Sequence, residues 1–346
     1  MSQDLERYSR QMLLADIGQE GQQRLLRSSV LVCGCGALGS VLADSLARAG
    51  VGRLRIVDRD FVELSNLQRQ VLFDEDDVRR RMPKAVAASE KLARINSDVT
   101  LEPIVADIDH TNILGFFEDM DLVVDGTDNF EVRFLVNDAA LETSTPWIYG
   151  GCIGSHGQTM AIFPGRGACL RCLIETVPEP GTAETCDTAG VLGAAINVIA
   201  SLQTVAALKI LAGHSEQVEP VLTIVDVWDG TFRKMSVANL KDRSDCPACN
   251  DGERTWLSGS QGTESTVLCG RDAVQVSPPA GVRISLSDLA ERLDGTGQVT
   301  SNPYLLRLVL NDPDYDVTVF ADGRAIVKGT QDIGVARSLY ARYVGN

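Results

Sequence analysis

Asn66, Arg69 and Gln70, then Lys84, then Asp128 and Asn129 supply two cations, three amides and a carboxylate within a stretch of about sixty residues. Arg and Lys stabilise charge developing on phosphoryl oxygens, and a carboxylate can hold Mg²⁺ beside a triphosphate. Upstream, Gly34–Cys35–Gly36–Ala37–Leu38–Gly39 follows the apolar run Val30–Leu31–Val32–Cys33 and precedes helical spacing over Ser40 to Ala49. Glycines there permit a tight turn and let backbone approach a phosphate, which the free N–H groups of a helix N-terminus attract. Asp58 ends the next apolar run at the ~20-residue offset where an acid accepts from a ribose. Taken alone, this pattern fits NAD, FAD or another nucleotide. A dehydrogenase has no need of Asn66, Arg69 and Gln70 just after the ribose acid, or of Lys84; a reaction at the α-phosphate of ATP does.

Cysteine carries a second chemistry. Among nine cysteines, Cys169–Leu170–Arg171–Cys172 and Cys246–Pro247–Ala248–Cys249 form paired knuckles of the kind that binds Zn²⁺ through four thiolates in a closed, structural site. A disulfide or a redox dithiol is the competing reading. The spacing exceeds that of a compact zinc ribbon, so a metal here would tie distant segments together. Cys186 ends a Pro/Gly-bearing stretch, Val177 to Cys186, and precedes a long helix expected to begin near Ala189. A helix dipole would stabilise its thiolate and make it nucleophilic. Its bland alternative is an inert loop cysteine. His110, His156 and His214 belong to no recognisable motif.

Arg7–Tyr8–Ser9–Arg10–Gln11, Gly34 to Gly39, Asp58, Ser65 to Gln70, Pro83–Lys84, Asp125 to Asn129 and the two cysteine pairs together resemble the ThiF/MoeB/HesA family, bacterial relatives of ubiquitin-activating enzymes. The resemblance runs to about residue 250. It implies adenylylation of the C-terminal glycine of a small ubiquitin-fold sulfur carrier of the ThiS or MoaD type, with release of pyrophosphate, for thiamine or molybdenum cofactor biosynthesis. It implies ATP, Mg²⁺ and Zn²⁺ as cofactors. The nucleotide would lie on Gly34, Gly36, Ala37 and Gly39, with Asp58 on the ribose. Asp60, Ser65, Asn66, Arg69, Gln70, Lys84, Asp128 and Asn129 would complete that site, Asp128 taking magnesium. Arg10 would reach into the ATP site of a neighbouring subunit, which implies a homodimer. Cys186 would take up the activated carboxyl group or a persulfide, a role that differs among members. A sulfur donor such as a cysteine desulfurase or rhodanese would serve the later step.

Composition fits an ordinary soluble globular protein, with 44% apolar residues in 346. A net charge of −15 argues against nucleic acid or an anionic membrane as partner, since both attract basic patches. No N-terminal targeting segment is visible, so the cytoplasm is the expected compartment. Val191 to Leu211 is long and apolar enough to imitate a membrane span. Asn197, Gln203, Lys209 and many small residues mark it instead as a buried or interface helix.

The elements that must position these groups read as α/β: a Rossmann-like, doubly wound, mostly parallel sheet extended by antiparallel strands. Leu5 to Leu26 reads as one helix, Pro83 to Ile95 as a helix with Lys84 in its first turn, and Phe130 to Glu142 as a helix capped by Asp128 or Asn129. Strands are expected at Val99–Val105, Leu122–Val124 and Trp147–Tyr149. Val221–Val227 and Thr231–Val237 form a hairpin around Asp229–Gly230. The adenylation domain with its zinc site spans 1–250, a Gly/Ser-rich linker 251–265, and a small C-terminal α+β module 266–346, with Thr266–Val276 as a strand. Cys269–Gly270–Arg271 does not resemble a rhodanese loop, which suggests a docking or dimer-supporting role for the module. Two rival functions remain: an NAD-dependent oxidoreductase, and a noncatalytic subunit that binds a ubiquitin-like protein.

Overall fold

The computed structural model describes residues 5–175, 189–260, 265–268, 272–277, 283–311 and 314–344. They fall into two units, one through residue 261 and one C-terminal to it.

In the first unit, β1 (Ser29–Cys33), β2 (Arg53–Val57), β3 (Thr100–Ile104), β4 (Leu122–Asp125) and β5 (Trp147–Ile153) run parallel. Then β6 (His156–Ile162), β7 (Val221–Asp226) and β8 (Thr231–Ser236) continue the sheet antiparallel. The order β3-β2-β1-β4-β5-β6-β7-β8 reverses direction between β1 and β4. Ligands bind at that switch point in open α/β sheets, outside the carboxyl ends of the strands. Val30, Leu31 and Val32 are buried, as are Leu122, Val123 and Val124. Continuous apolar strands of this sort require cover on both faces.

The helix Gly193–Ala212 is long and apolar enough to cross a membrane by composition alone. In the structure it is a core helix. Ala195, Ile196, Ile199, Ala200 and Ala207 face inward, and the helix packs on the Ala37–Ala49 helix, β5 and β6. Buried Gln203 donates to the carbonyls of Asp125 (2.9 Å) and Ile148 (3.3 Å). Gly150 makes room for it, since a Cβ there would lie 2.5 Å from the Gln203 amide. One of the polar residues that interrupt the apolar run, Gln203, thus clamps β4 to β5.

Three expectations need correction. The helix expected over Leu5 to Leu26 is broken into Leu5–Tyr8, Ser9–Met12 and Gly18–Leu25, and Gly18 adopts φ +56° at the restart. The front of the expected linker is folded: Trp256 donates its backbone N–H to Asp138 (3.0 Å) and packs its ring, tilted by 46°, against Phe134, so the unit boundary falls near residue 261. In place of the single strand expected over Thr266–Val276 there are two, β9 (Ser265–Leu268) paired antiparallel with β10 (Ala273–Val276).

The second unit adds β11 (Gln298–Ser301), β12 (Leu305–Asn311), β13 (Asp314–Phe320) and β14 (Ala325–Lys328) in a fully antiparallel sheet ordered β11-β12-β13-β14-β10-β9. Helices Leu286–Leu293 and Ile333–Tyr343 close its core through Leu289, Leu293, Ala336 and Tyr340. Ser285 and Asp332 cap them by accepting backbone N–H bonds. It is the α+β module expected from the sequence.

Candidate active site

The glycine turn leaves β1 at Gly34, which adopts φ +80°. Its glycines interlock. A Cβ on Gly39 would lie 1.9 Å from the Gly34 carbonyl oxygen, and one on Gly126 would lie 2.6 Å from that same oxygen. Gly39 and Gly126 therefore let the helix and the β4 loop press against the turn. Gly36 differs: a Cβ there would find its nearest neighbours at 3.9 Å, the Gln70 amide and the Gly126 carbonyl. It fronts open space above the N-terminus of the Ala37–Ala49 helix, whose first N–H groups have no intrahelical acceptor. Buried Gln70 has an unpartnered Oε1 beside this space. A cradle lined by free N–H groups, with an orphaned amide at its rim, fits a nucleotide phosphate.

Asp58, at the end of β2, accepts from the Cys35 N–H (2.6 Å) and from the Asp60 N–H (2.7 Å). It staples the turn to the chain that follows. Each carboxylate oxygen keeps a further lone pair for a ribose hydroxyl. Burial pushes its carboxyl above the usual range, while Lys84 pulls it back down. Lys84 begins the Lys84–Ile95 helix and is buried, its Nζ 3.0 Å from Asp60 Oδ2. Such a cation is held in place before any ligand arrives. Asn66 caps its own turn by accepting from the Glu63 N–H, beside exposed Ser65. Arg69, half-buried, donates to the Ser65 carbonyl (2.8 Å).

Asp128 is exposed in the loop after β4, and Asn129 caps the Phe130–Thr143 helix by accepting from the Glu131 N–H (2.8 Å). The pairing of β1 with β4 sets this loop against the glycine turn. Glycine cradle, Asp58, Asp60, Gln70, Lys84 and the Asp128 loop thus converge on one end of the sheet. A single exposed carboxylate beside a phosphate cradle fits Mg²⁺, which keeps most of its ligands as water and phosphate oxygen.

Arg10 does not join them. Tyr8 packs on Gly50 and accepts from the Asn96 amide, and Gln11 donates to the Ala49 carbonyl. These contacts pin the segment to the C-terminal end of the Ala37–Ala49 helix. Thirteen residues make that helix roughly 20 Å long, so exposed Arg10 sits a full helix length from its own glycine turn. Cys186 lies outside the described residues.

The four knuckle cysteines come together beside the Phe130–Thr143 helix. Sγ of Cys169 lies 3.9 Å from that of Cys172 and 3.7 Å from that of Cys246, and Cys172 lies 3.7 Å from Cys249. All four sulfurs fall within 4.8 Å of one another. Tetrahedral zinc with Zn–S bonds of about 2.3 Å places sulfurs about 3.8 Å apart, so the set fits Zn²⁺. A disulfide needs about 2.05 Å and does not fit. Leu170 donates its N–H to Asn137 (2.9 Å), joining the first knuckle to the helix that follows Asp128.

Two groups in this region escape a sequence reading. Gly126 looks like an ordinary turn glycine until the Gly34 oxygen is placed beside it. Arg133 looks like helix-surface charge, yet it is buried.

A doubly wound sheet with a glycine cradle, a pre-set lysine and a loop carboxylate defines a nucleotide-binding α/β protein, with a separate four-cysteine cluster that could hold zinc. The chain belongs to the ThiF family, whose model matches residues 8–248. It is 43% identical over 340 residues to the sulfur carrier protein ThiS adenylyltransferase of Bacillus subtilis (strain 168), covering 98% of this chain and 99% of that one. It is 40% identical over 248 residues to the SAMP-activating enzyme E1 of Haloferax volcanii, covering 72% of this chain and 90% of that protein. The crystal structure of E. coli MccB with ATP shares the fold, with a TM-score of 0.61 at 23% identity over 71% of this chain and 74% of that chain.

Proposed function

We propose that this protein is a sulfur carrier protein adenylyltransferase, a nucleotidyltransferase that activates the terminal carboxylate of a small ubiquitin-like carrier of the ThiS or MoaD type with ATP. The observation that carries the reading is the convergence of the Gly36 cradle, buried Lys84 and exposed Asp128 at the switch point of the sheet. The near full-length kinship with the Bacillus subtilis enzyme supplies the carrier.

The carrier carboxylate attacks the α-phosphorus of ATP. An acyl–oxygen–phosphorus bond forms, the bond between the α-phosphorus and its bridging oxygen breaks, and pyrophosphate leaves with the electron pair. The attacking group is already ionised at neutral pH, so no general base is needed. Backbone N–H groups of the cradle and Gln70 orient the phosphates. Lys84 and Arg69 oppose the charge that builds on the phosphoryl oxygens. Mg²⁺, held by Asp128, would neutralise the triphosphate and favour the leaving pyrophosphate. The Cys169–Cys172–Cys246–Cys249 set would hold Zn²⁺ as a fold element, since four thiolates leave no open position.

The protein works as a homodimer in which Arg10 of one subunit completes the other's site. Its distance from its own cradle supports this, as do exposed Leu13 and Leu14, at 75% and 57%. Cys186 receives the activated acyl group or donor sulfur after adenylation, with a cysteine desulfurase or rhodanese as the sulfur source. Unpaired thiols at Cys33 and Cys35 suit the cytoplasm. The residues 262–346 unit serves docking rather than chemistry, and thiamine or molybdenum cofactor synthesis is the route served.

ATP–pyrophosphate exchange with purified candidate carriers, each with and without its terminal Gly-Gly, tests the reading. A cognate carrier stimulates exchange only when that tail is intact. Exchange indifferent to the tail would overturn it.

A further inference from the structure

We infer that Arg133 is a positioning residue for Asp128, an inference that rests on the reading of Asp128 as the ligand of nucleotide-bound metal. The β4 loop from Gly126 to Asn129 is short, and only Asp128 in it is exposed. Its neighbours are tied down on both sides. Asp125 Oδ1 accepts from the N–H of Thr127 (2.9 Å) and from its hydroxyl (2.7 Å). The Thr127 carbonyl accepts from Arg133 Nη2 at 2.6 Å. Every polar group of Thr127 is therefore engaged. On the far side, Asn129 Oδ1 caps the helix and its carbonyl accepts the Arg133 N–H (3.2 Å).

The Arg133 guanidinium closes this ring. It is buried, with Nε 3.1 Å from Asp125 Oδ2 and Nη2 donating also to the Gly150 carbonyl (3.1 Å). Phe130 and Tyr149 present their ring faces to it at 5.3 and 5.4 Å. One planar cation thus joins the end of β4, the Asp128 loop and the middle of β5. Lysine carries its three donors on one compact nitrogen and cannot reproduce the planar fork that reaches all three acceptors. A buried ion pair is weak evidence for a gain in stability, since desolvation offsets attraction. Its use here is geometric: Asp125 and Arg133 fix the backbone on either side of a carboxylate that must meet a cation.

Equilibrium binding of ATP, measured by calorimetry with Mn²⁺ and again in EDTA, separates this role from general support of the fold. For Arg133→Lys we expect Mn²⁺·ATP to bind about tenfold more weakly, the range typical of residues that orient a ligating side chain. Metal-free ATP should bind within about twofold of wild type. Asp128→Asn should show the same selective loss. Should Arg133→Lys fail to fold, Asp125→Asn/Arg133→Met removes the buried pair without stranding a charge, and the same selective loss is expected. Wild-type Mn²⁺·ATP affinity in the folded variant, or equal weakening of both ATP forms, overturns the inference provided Asp128→Asn remains selective. If Asp128→Asn itself shows no selectivity, the metal assignment falls first and Arg133 with it.

Discussion

Single side chains decide the chemistry, and their variants separate its steps. Asp128→Ala should lower carrier-stimulated pyrophosphate exchange by at least about a hundredfold, since electrostatic stabilisation of the phosphates is lost. Cys186→Ala should leave exchange intact and block later sulfur transfer to the carrier, read as thiocarboxylate formation by mass spectrometry. A Cys186→Ala protein that still forms thiocarboxylate would remove that residue from the pathway. Gly39→Ala should cost about 1–3 kcal/mol of stability in chemical denaturation, because the new methyl meets the Gly34 carbonyl 1.9 Å away. The expectation for Asp128 can be drawn from the sequence, where residue type and order point to phosphate chemistry. That for Gly39 cannot: the spacing of Gly34 and Gly39 suggests phosphate contact, whereas Gly39 is needed for packing against backbone. The position of Asp58 at the end of the second apolar run is legible, but its hold on the Cys35 N–H depends on two strands meeting. Arg133 was hidden because one charged residue on a helix gives no sign of which face is buried.

Elements were more readable than their joins. The strand–turn–helix at Val30–Ala49, the β7–β8 hairpin and the Asn129 cap follow from local pattern, and all stand as expected. The break at Leu13–Ile17 and the docking of Trp256 depend on tertiary contacts that no local pattern reports. At this scale β2 and β3 share a charge cluster, Glu102 bonding Arg53 (2.6 Å) and Arg55 (2.9 Å). Hydrogen bonds from Arg53 and Arg55 hold its carboxyl below the ordinary glutamate value. For an acid depressed on folding, the gain is present above the unfolded value and is lost as pH falls through the folded one. Glu102→Gln should therefore cost about 1 kcal/mol near pH 7, a modest figure because the cluster is partly exposed. The gap to wild type should narrow in denaturation curves below about pH 4.5, where the unfolded carboxylate takes up its proton. A gap independent of pH would show that Glu102 acts by packing.

For the molecule as a whole, the position of Arg10 makes a statement about assembly. If each site borrows Arg10 from its partner, Arg10→Ala and Asp128→Ala should each be inactive alone. Co-expressed, they should regain about a quarter of wild-type exchange, from the one intact site in each mixed dimer of a closed two-fold pair. No recovery in confirmed mixed dimers would place Arg10 within its own subunit's site. The cysteine cluster bears on how the fold is reached. Cys169 and Cys246 are 77 residues apart, and the core helix Gly193–Ala212 with β7 and β8 lies between them. Bringing such distant thiols together in an open chain carries a closure cost that the finished sheet has already met. Metal capture would then come late in biogenesis, as a seal on a completed sheet rather than a seed for it. A newly made chain starved of zinc would hold its β strands in register while leaving its knuckles loose.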